Sequence, residues 1–205
     1  MDVIVKDMSL ARNDNATLIA QRLCHDLVNP LGAIGNGLDL LGMTQPETAE
    51  TRLMRDSLEQ ALGRIKIYRL AFGSASSEHL VPGPELTAIL SALGGSRPIA
   101  LETILPDQLN RSDARILALM ALCAETALAW GGELTITAED QTLRASATAP
   151  RLRLDREPWA ALGRGLPPEA PTPPVVQFSL LASAARNAGR KLHVDQAENR
   201  VTITA

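Results

Sequence analysis

Residues 22–41 read RLCHDLVNPLGAIGNGLDLL, and this stretch decides the fold of the N-terminal part of the chain. Apolar residues recur in it at spacings of three and four, which is typical of a helix that buries one face. The pattern extends back to Asp14, a reasonable helix cap, and stops at Gly42. We therefore expect a long first helix with one packing seam. Its positions are Ala20, Leu23, Leu27, Pro30, Leu31, Ile34, Leu38 and Leu41.

A second amphipathic helix is predicted to follow directly. The run Thr44-Gln45-Pro46-Glu47 combines a capping-box pattern with a proline suited to a first helical turn. The apolar positions of this helix are Met54, Leu58, Ala61, Ile65, Tyr68 and Phe72. Two antiparallel helices cannot enclose a core alone, so their seams need either the rest of the chain or a second copy. We expect the more economical solution, a homodimeric four-helix bundle.

The composition excludes several classes of protein. The 205 residues, 45% apolar and 21% charged, exclude wholesale disorder and suit one large domain or two small ones. A net charge of −3 and few aromatic residues argue against a nucleic-acid surface. Cys24 and Cys123 indicate buried hydrophobic positions in a reducing compartment. Because no segment has the apolar length of a signal peptide or membrane span, a cytoplasmic location without membrane contact is expected.

His25 is predicted to point away from the packing seam. At about 100° per residue, Leu23 and Ile34 fall on the opposite side of the helix. Pro30 costs about 3 kcal/mol inside a helix and frees the backbone carbonyl of Asp26. Side chains that would let a partner approach the imidazole share its face: Leu18, Gln21, Arg22, Asn29, Gly32 and Asn36. An ordinary solvent-facing histidine and a harmless proline kink are the alternatives.

The motif around His25 resembles a known family. His25-Asp26-x-x-Asn29-Pro30-Leu31-x-x-Ile34, followed by Gly37-Leu38-x-Leu40-Leu41, is similar to the phosphoacceptor box of histidine-kinase dimerisation domains. With Arg22-Leu23-Cys24 before it and Gly32-Ala33 within it, the stretch resembles more closely the ChpT-type histidine phosphotransferases of alphaproteobacterial phosphorelays. Monomeric phosphotransfer domains have lysine three residues after the histidine, where this chain has Val28.

The resemblance implies that His25 accepts a phosphoryl group from a receiver-domain aspartate of a hybrid histidine kinase and passes it to aspartates of response regulators. Imidazole suits this role because its ordinary pKa near 6.5 leaves a free ring nitrogen at neutral pH. Phosphoryl transfer requires mainly in-line positioning and charge neutralisation. No cofactor of the protein's own is expected, and the receiver partner would carry Mg²⁺.

The resemblance also implies roles for the neighbours of His25. Asp26 would accept a hydrogen bond from the second ring nitrogen, or be an ordinary exposed carboxylate. Asn29 matches the position that orients water in dephosphorylation, and in a transfer protein it would only form a hydrogen bond or dock the partner. Arg22 would steady phosphoryl charge or form a rim salt bridge. The expected catalytic residues are His25, Asp26 and Asn29, and the expected docking residues are Leu18, Arg22, Gly32 and Asn36.

The second half of the chain is predicted to be a separate α+β domain. Residues 73–83 are rich in small residues and proline and indicate a linker, with domains at 1–78 and 79–205. His79 is expected to be solvated and His193 to be structural. The predicted elements are helices at 84–93, 112–130 and 175–188 and strands at 98–104, 133–138, 142–148, 191–195 and 200–204.

This order resembles the α/β sandwich of the ATP-binding domain of histidine kinases. The helix at 112–130 lacks the family's metal-positioning asparagine, and Glu125 is either a remnant of that motif or part of the helix's solvated face. No glycine-rich loop follows the strand at 142–148, and the lid region 166–174 is rich in proline. We expect a degenerate domain that binds no ATP and adds a docking surface for receivers.

Other functions stay open at the level of sequence. The protein could be a non-catalytic dimeric scaffold or kinase inhibitor, with His25 a bystander. It could also be a histidine-dependent phosphatase of response regulators that uses Asn29. The missing nucleotide loop weighs against an autophosphorylating kinase. The spacing of the three histidines suits no zinc site, and no Gly-x-Ser-x-Gly elbow is present.

Overall fold

The structure is a computed structural model that describes the backbone of residues 2–73, 79–95 and 97–205, and side chains from residue 18 onward. The chain divides into two compact units, Met1–Ser74 and Ala75–Ala205. A helical hairpin forms the first, and a five-stranded sheet with helices forms the second. The predicted α+β class, a helical hairpin followed by an α/β domain, is confirmed. The division lies slightly before the predicted boundary at 78/79, and residues 74–78 of the predicted linker lie outside the described residues.

The hairpin consists of α1, Asp2–Thr44, and α2, Ala49–Phe72. The prediction that α1 begins at Asp14 is wrong, because no proline or glycine between Asp2 and Asp14 interrupts the helix. The helix continues through Pro30 without a break in its assignment. Sequence patterns therefore located the helix but not its start.

The cap of α2 also differs from the prediction. The hydroxyl of Thr48 accepts a hydrogen bond from the Thr51 amide at 3.2 Å, and the hydroxyl of Thr51 accepts one from the Thr48 amide at 2.9 Å. Thr44 instead belongs to the last turn of α1, where its hydroxyl donates to the carbonyl of Leu41. The capping box therefore begins at Thr48, and Pro46 lies in the turn between the helices.

Only part of each predicted seam is buried within one chain. The buried side chains include Cys24 and Leu38 on α1 and Leu58 and Ile65 on α2. Gly35 permits close contact, since a Cβ there would lie 3.2 Å from Leu58 Cδ2. Cys24 and Leu38, the buried line of α1, lie on average about 50° around the helix from the centre of the predicted seam. Four other residues of the predicted seam, Leu23, Leu27, Ile34 and Leu41, are each about half exposed.

The second unit is a mixed sheet with helices packed on it. Its strands follow the order β2-β4-β5-β7-β6, with β2 and β4 parallel and the other neighbours antiparallel. The strands are β1 Leu80–Pro82, β2 Ile99–Ile104, β3 Gln108–Asn110, β4 Gly132–Glu139, β5 Thr142–Thr148, β6 His193–Gln196 and β7 Arg200–Thr204. The helices are α3 Gly83–Leu90, α4 Arg111–Ala127, α5 Arg156–Gly163 and α6 Val176–Asn187, with a short 3₁₀ turn Pro173–Val175 before α6.

Three of these elements are absent from the sequence prediction: β1, β3 and α5. Strand β1 lies in the stretch predicted to be a linker and pairs with β3, with Leu80 opposite Asn110. A three-residue strand is too short to show an alternating pattern, so only its partner identifies it. Helix α5 buries Trp159 edge-on against Phe178 of α6, with ring centroids 5.3 Å apart.

Helix α4 forms the core of the second unit, and Glu125 near its end is only 4% exposed. Its Oε1 accepts hydrogen bonds from Arg97 Nη2 and from the Gly94 amide, each at 2.8 Å. Arg97 Nη1 also donates to the carbonyls of Glu125 and Leu128. The interpretation of Glu125 as part of a solvated face is therefore wrong, because Arg97 neutralises its charge inside the unit and caps α4.

The two other histidines contact solvent. His79 and His193 are both exposed, and the backbone carbonyl of His79 accepts a hydrogen bond from the Arg111 amide.

Among the helices in the described part of the chain, none combines the length and apolar character that a bilayer crossing requires.

Candidate functional site

The site is built on one exposed face of α1, around His25. The imidazole is 71% exposed, and its Nδ1 lies 3.3 Å from Oδ1 of Asp26. The other oxygen of that carboxylate, Oδ2, accepts a hydrogen bond from Nε of Arg22 at 2.7 Å. Arg22 and Asp26 are four residues apart and so lie one above the other on the helix. The structure thus brings three of the predicted site residues into contact.

The electrostatics of the group determine which ring nitrogen is free. The hydrogen bond from His25, followed by that from Arg22, holds the pKa of Asp26 below its ordinary value. An ionised carboxylate can only accept hydrogen bonds, so the contact with His25 requires a proton on Nδ1. In the neutral ring Nε2 then keeps its lone pair. The arrangement presents a nucleophilic nitrogen on an exposed helix surface.

The surface beyond His25 leaves room for another molecule. Gly32 lies two turns further along the same face, and no atom lies within 4 Å of the position a Cβ would take there. A glycine inside a helix costs about 1 kcal/mol relative to alanine, and packing within the chain does not account for it at this position. Gly35 differs, because it packs against Leu58.

The remaining predicted site residues share the exposed face without contacting His25. Asn29 lies one turn beyond it, and Leu18 and Asn36 lie two and three turns away on the same side. All three side chains are exposed. The sequence analysis missed Val28 as a surface residue, although it is about one-third exposed beside the imidazole. Its apolar character between Leu27 and Asn29 is the signal that could have identified it.

The opposite face of the hairpin is apolar and exposed. Leu53 and Met54 of α2 are more than half exposed, like the outward part of the α1 seam. Gly37 of α1 has open space around its Cβ position, as Gly32 does.

In residues 18–73, 79–95 and 97–205, no group of three or more His, Cys, Asp or Glu side chains is placed to hold a metal ion.

Comparison with known proteins shows the family of the chain. Residues 84–200 match the family model of the histidine phosphotransferase C-terminal domain. The protein phosphotransferase ChpT of Brucella abortus (strain 2308) is 26% identical over 97% of this chain and 98% of its own length. A solved 1.7 Å structure of a bacterial phosphotransferase has the same fold, with a TM-score of 0.68, 20% identity and 95% of both chains covered. The chain therefore belongs to the histidine phosphotransferase family and is a phosphotransferase of the ChpT type.

Proposed function

We propose that this phosphotransferase is the intermediate of a phosphorelay and that His25 is its phosphoacceptor. It receives the phosphoryl group from a receiver-domain aspartate of a hybrid histidine kinase and passes it to aspartates of response regulators. The observation that carries the proposal is the exposed imidazole whose Nδ1 faces Asp26 at 3.3 Å. That contact leaves Nε2 free, as in-line attack requires.

The chemistry balances without a cofactor held by this chain. The lone pair of Nε2 attacks the phosphorus of the aspartyl phosphate, and a nitrogen–phosphorus bond forms as the bond from phosphorus to the aspartyl oxygen breaks. The aspartate leaves as a carboxylate, and the proton on Nδ1 stays in place, where Asp26 stabilises the positive charge of the ring. The receiver supplies the Mg²⁺ that neutralises the phosphoryl oxygens.

The second part of the proposal is a homodimer built by the hairpin. Its support is the exposed apolar stripe of α1, defined by Leu23, Leu27, Ile34 and Leu41, on the side of the helix opposite His25. Large exposed apolar patches mark interaction surfaces, and Gly37 beside the stripe permits close helix packing. A second copy covers both stripes and leaves both copies of His25 accessible.

The third part is that the second unit binds no ATP. Its support is the buried pair of Glu125 and Arg97 at the end of α4, in which each charge satisfies the other. The proline-rich segment from Leu166 to Pro174 adds to this, because it lacks the glycine hinge of a closing lid.

Two labelling reactions test the proposed function. The full chain is incubated with a phosphorylated receiver domain and, separately, with labelled ATP. We expect acid-labile label from the receiver and none from ATP. His25→Ala abolishes the label, whereas the matched variants His79→Ala and His193→Ala, which remove other exposed histidines, keep it. Label from ATP alone would indicate a kinase, and no label from any receiver would indicate a scaffold.

A further inference from the structure

Arg22 lies at the edge of the group formed by His25 and Asp26, and the two oxygens of Asp26 have different donors. Oδ2 faces Nε of Arg22 at 2.7 Å, while Oδ1 faces Nδ1 of His25 at 3.3 Å. The contact with Arg22 is the shorter of the two. Arg22 therefore binds Oδ2 of the carboxylate, and Oδ1 is left to accept the hydrogen bond from His25.

The geometry of the helix explains why this matters. His25 and Asp26 are consecutive residues, so their side chains leave the helix about 100° apart and meet only if both lean sideways. The side chain of an exposed aspartate populates several staggered rotamers, and most of them point its oxygens toward water. A guanidinium one turn earlier selects a carboxylate orientation, because Nε and Oδ2 must stay within hydrogen-bond distance.

We propose that Arg22 is a positioning residue of phosphoryl transfer: by holding Oδ2 of Asp26 it keeps Oδ1 on Nδ1 of His25 and so keeps Nε2 free of a proton. This inference rests on the proposed role of His25 as phosphoacceptor. Arg22 touches neither reacting atom in this arrangement. It acts through Asp26, which acts through the tautomer of the imidazole.

A role of Arg22 in docking the partner would give different experimental results from a role in positioning Asp26. A positioning role changes the imidazole of the free protein, whereas a docking role changes only the affinity for the receiver. A purely structural role changes stability, and an exposed pair four residues apart contributes little to that. Glutamine has nearly the helix propensity of arginine, so Arg22→Gln is expected to fold normally.

The first measurement is ¹⁵N NMR of the imidazole of His25 in the full chain at about pH 8, above the ordinary titration range of histidine. In the parent protein we expect the proton mainly on Nδ1. Arg22→Gln shifts it toward Nε2, and Arg22→Lys, which keeps a cation at the same spacing, retains the parental ratio. The matched control is Arg52→Gln, which removes the exposed pair with Glu47 beyond the end of α1 and leaves the ratio unchanged.

The second measurement is the rate of transfer from a phosphorylated receiver. We expect Arg22→Gln to lower the rate constant at saturating receiver roughly three- to tenfold and to leave the half-saturating concentration within about twofold. An unchanged tautomer ratio in Arg22→Gln would overturn the proposal. So would a higher half-saturating concentration with an unchanged rate, which would make Arg22 a partner contact. The NMR measurement uses no receiver, so its result is independent of whether His25→Ala abolishes labelling.

Discussion

At the scale of single residues, the proposed site combines His25 as the nucleophile with neighbours that would orient it or make room for a partner. Asp26 contacts the imidazole directly, and Arg22 contacts Asp26. Gly32 contributes by lacking a side chain, since open space surrounds its Cβ position. These two kinds of contribution lead to separate predictions.

Gly32→Ala is expected to make the protein more stable and less active. Alanine at an unobstructed helix position raises the free energy of unfolding by about 1 kcal/mol. On the proposed function, the added methyl group would stand where the receiver approaches, so the half-saturating receiver concentration should rise. Denaturant unfolding and transfer kinetics measure the two effects.

The control for this variant is Gly42→Ala near the end of α1, where a Cβ would make only an ordinary contact at 3.8 Å with Arg55. It should gain similar stability without loss of transfer. Unimpaired transfer by Gly32→Ala would show that the receiver does not approach this position.

The carboxylate of Asp26 should titrate below its ordinary pKa. The hydrogen bond from His25 is the largest cause, so His25→Ala should raise the pKa of Asp26. Because the pKa is lowered, the contact is present at neutral pH and is lost only as the pH falls through the lowered value. Carboxyl ¹³C NMR measures the midpoint, with His79→Ala as the control. An unchanged midpoint in His25→Ala would contradict the contact seen in the structure.

At the scale of elements, α1 presents three lines of residues with different roles. One line, with Cys24 and Leu38, is buried in the hairpin. A second carries His25, and a third is the exposed apolar stripe. Sequence periodicity predicted that the helix is amphipathic, but it merged the buried line with the stripe. The two lines lie about 65° apart around the helix, and only the position of α2 separates them.

Leu27→Asp in the apolar stripe is expected to convert the proposed dimer into a monomer. The carboxylate would be desolvated against the second copy, and burying an unpaired charge is costly. Sedimentation or light scattering gives the mass of the particle. The matched control is Leu40→Asp, an exposed leucine about 140° away from Leu27 around the helix, which should leave the mass unchanged. A Leu27→Asp variant that keeps the parental mass would argue against dimerisation through this stripe.

Glu125→Gln at the end of α4 is expected to destabilise the second unit. Removing the carboxylate leaves Arg97 largely buried without its charge partner, at a cost of about 2 kcal/mol after allowance for its partial exposure. Denaturant unfolding measures the loss. Arg153→Gln is the control, because its pair with Asp155 is exposed and should contribute less than about 0.5 kcal/mol. Equal effects of the two variants would contradict a structural role for the buried pair.

At the scale of the whole molecule, the sequence predicted the two units and most of their long elements. These succeeded because each has a clear pattern of its own: a period of about 3.6 residues in α1 and α2 and of two in β4 and β5. Helix α4 instead contains an uninterrupted apolar run at 116–124, which is longer than a typical buried strand. The wrong or missing predictions concern the ends of helices and the short elements. The start of α1 and the cap of α2 depend on which of several similar local signals is used, as when Thr48 and not Thr44 caps α2. The strands β1 and β3 depend on each other, because each is identified only by its pairing with a distant segment.

The sequence by itself determined the helical hairpin, the order of the longer α/β elements except α5, and the histidine motif on which the family resemblance rests. Those features are local, so residue types at fixed spacing specify them. Only the tertiary structure decided that Glu125 is buried, because Arg97 reaches it from another part of the chain. It also decided which line of α1 is buried, since Cys24 and Leu38 pack into the hairpin while Leu23 and Leu27 of the same amphipathic helix stay about half exposed. Periodicity shows that a helix has an apolar side, but the position of its neighbour decides which part of that side is covered.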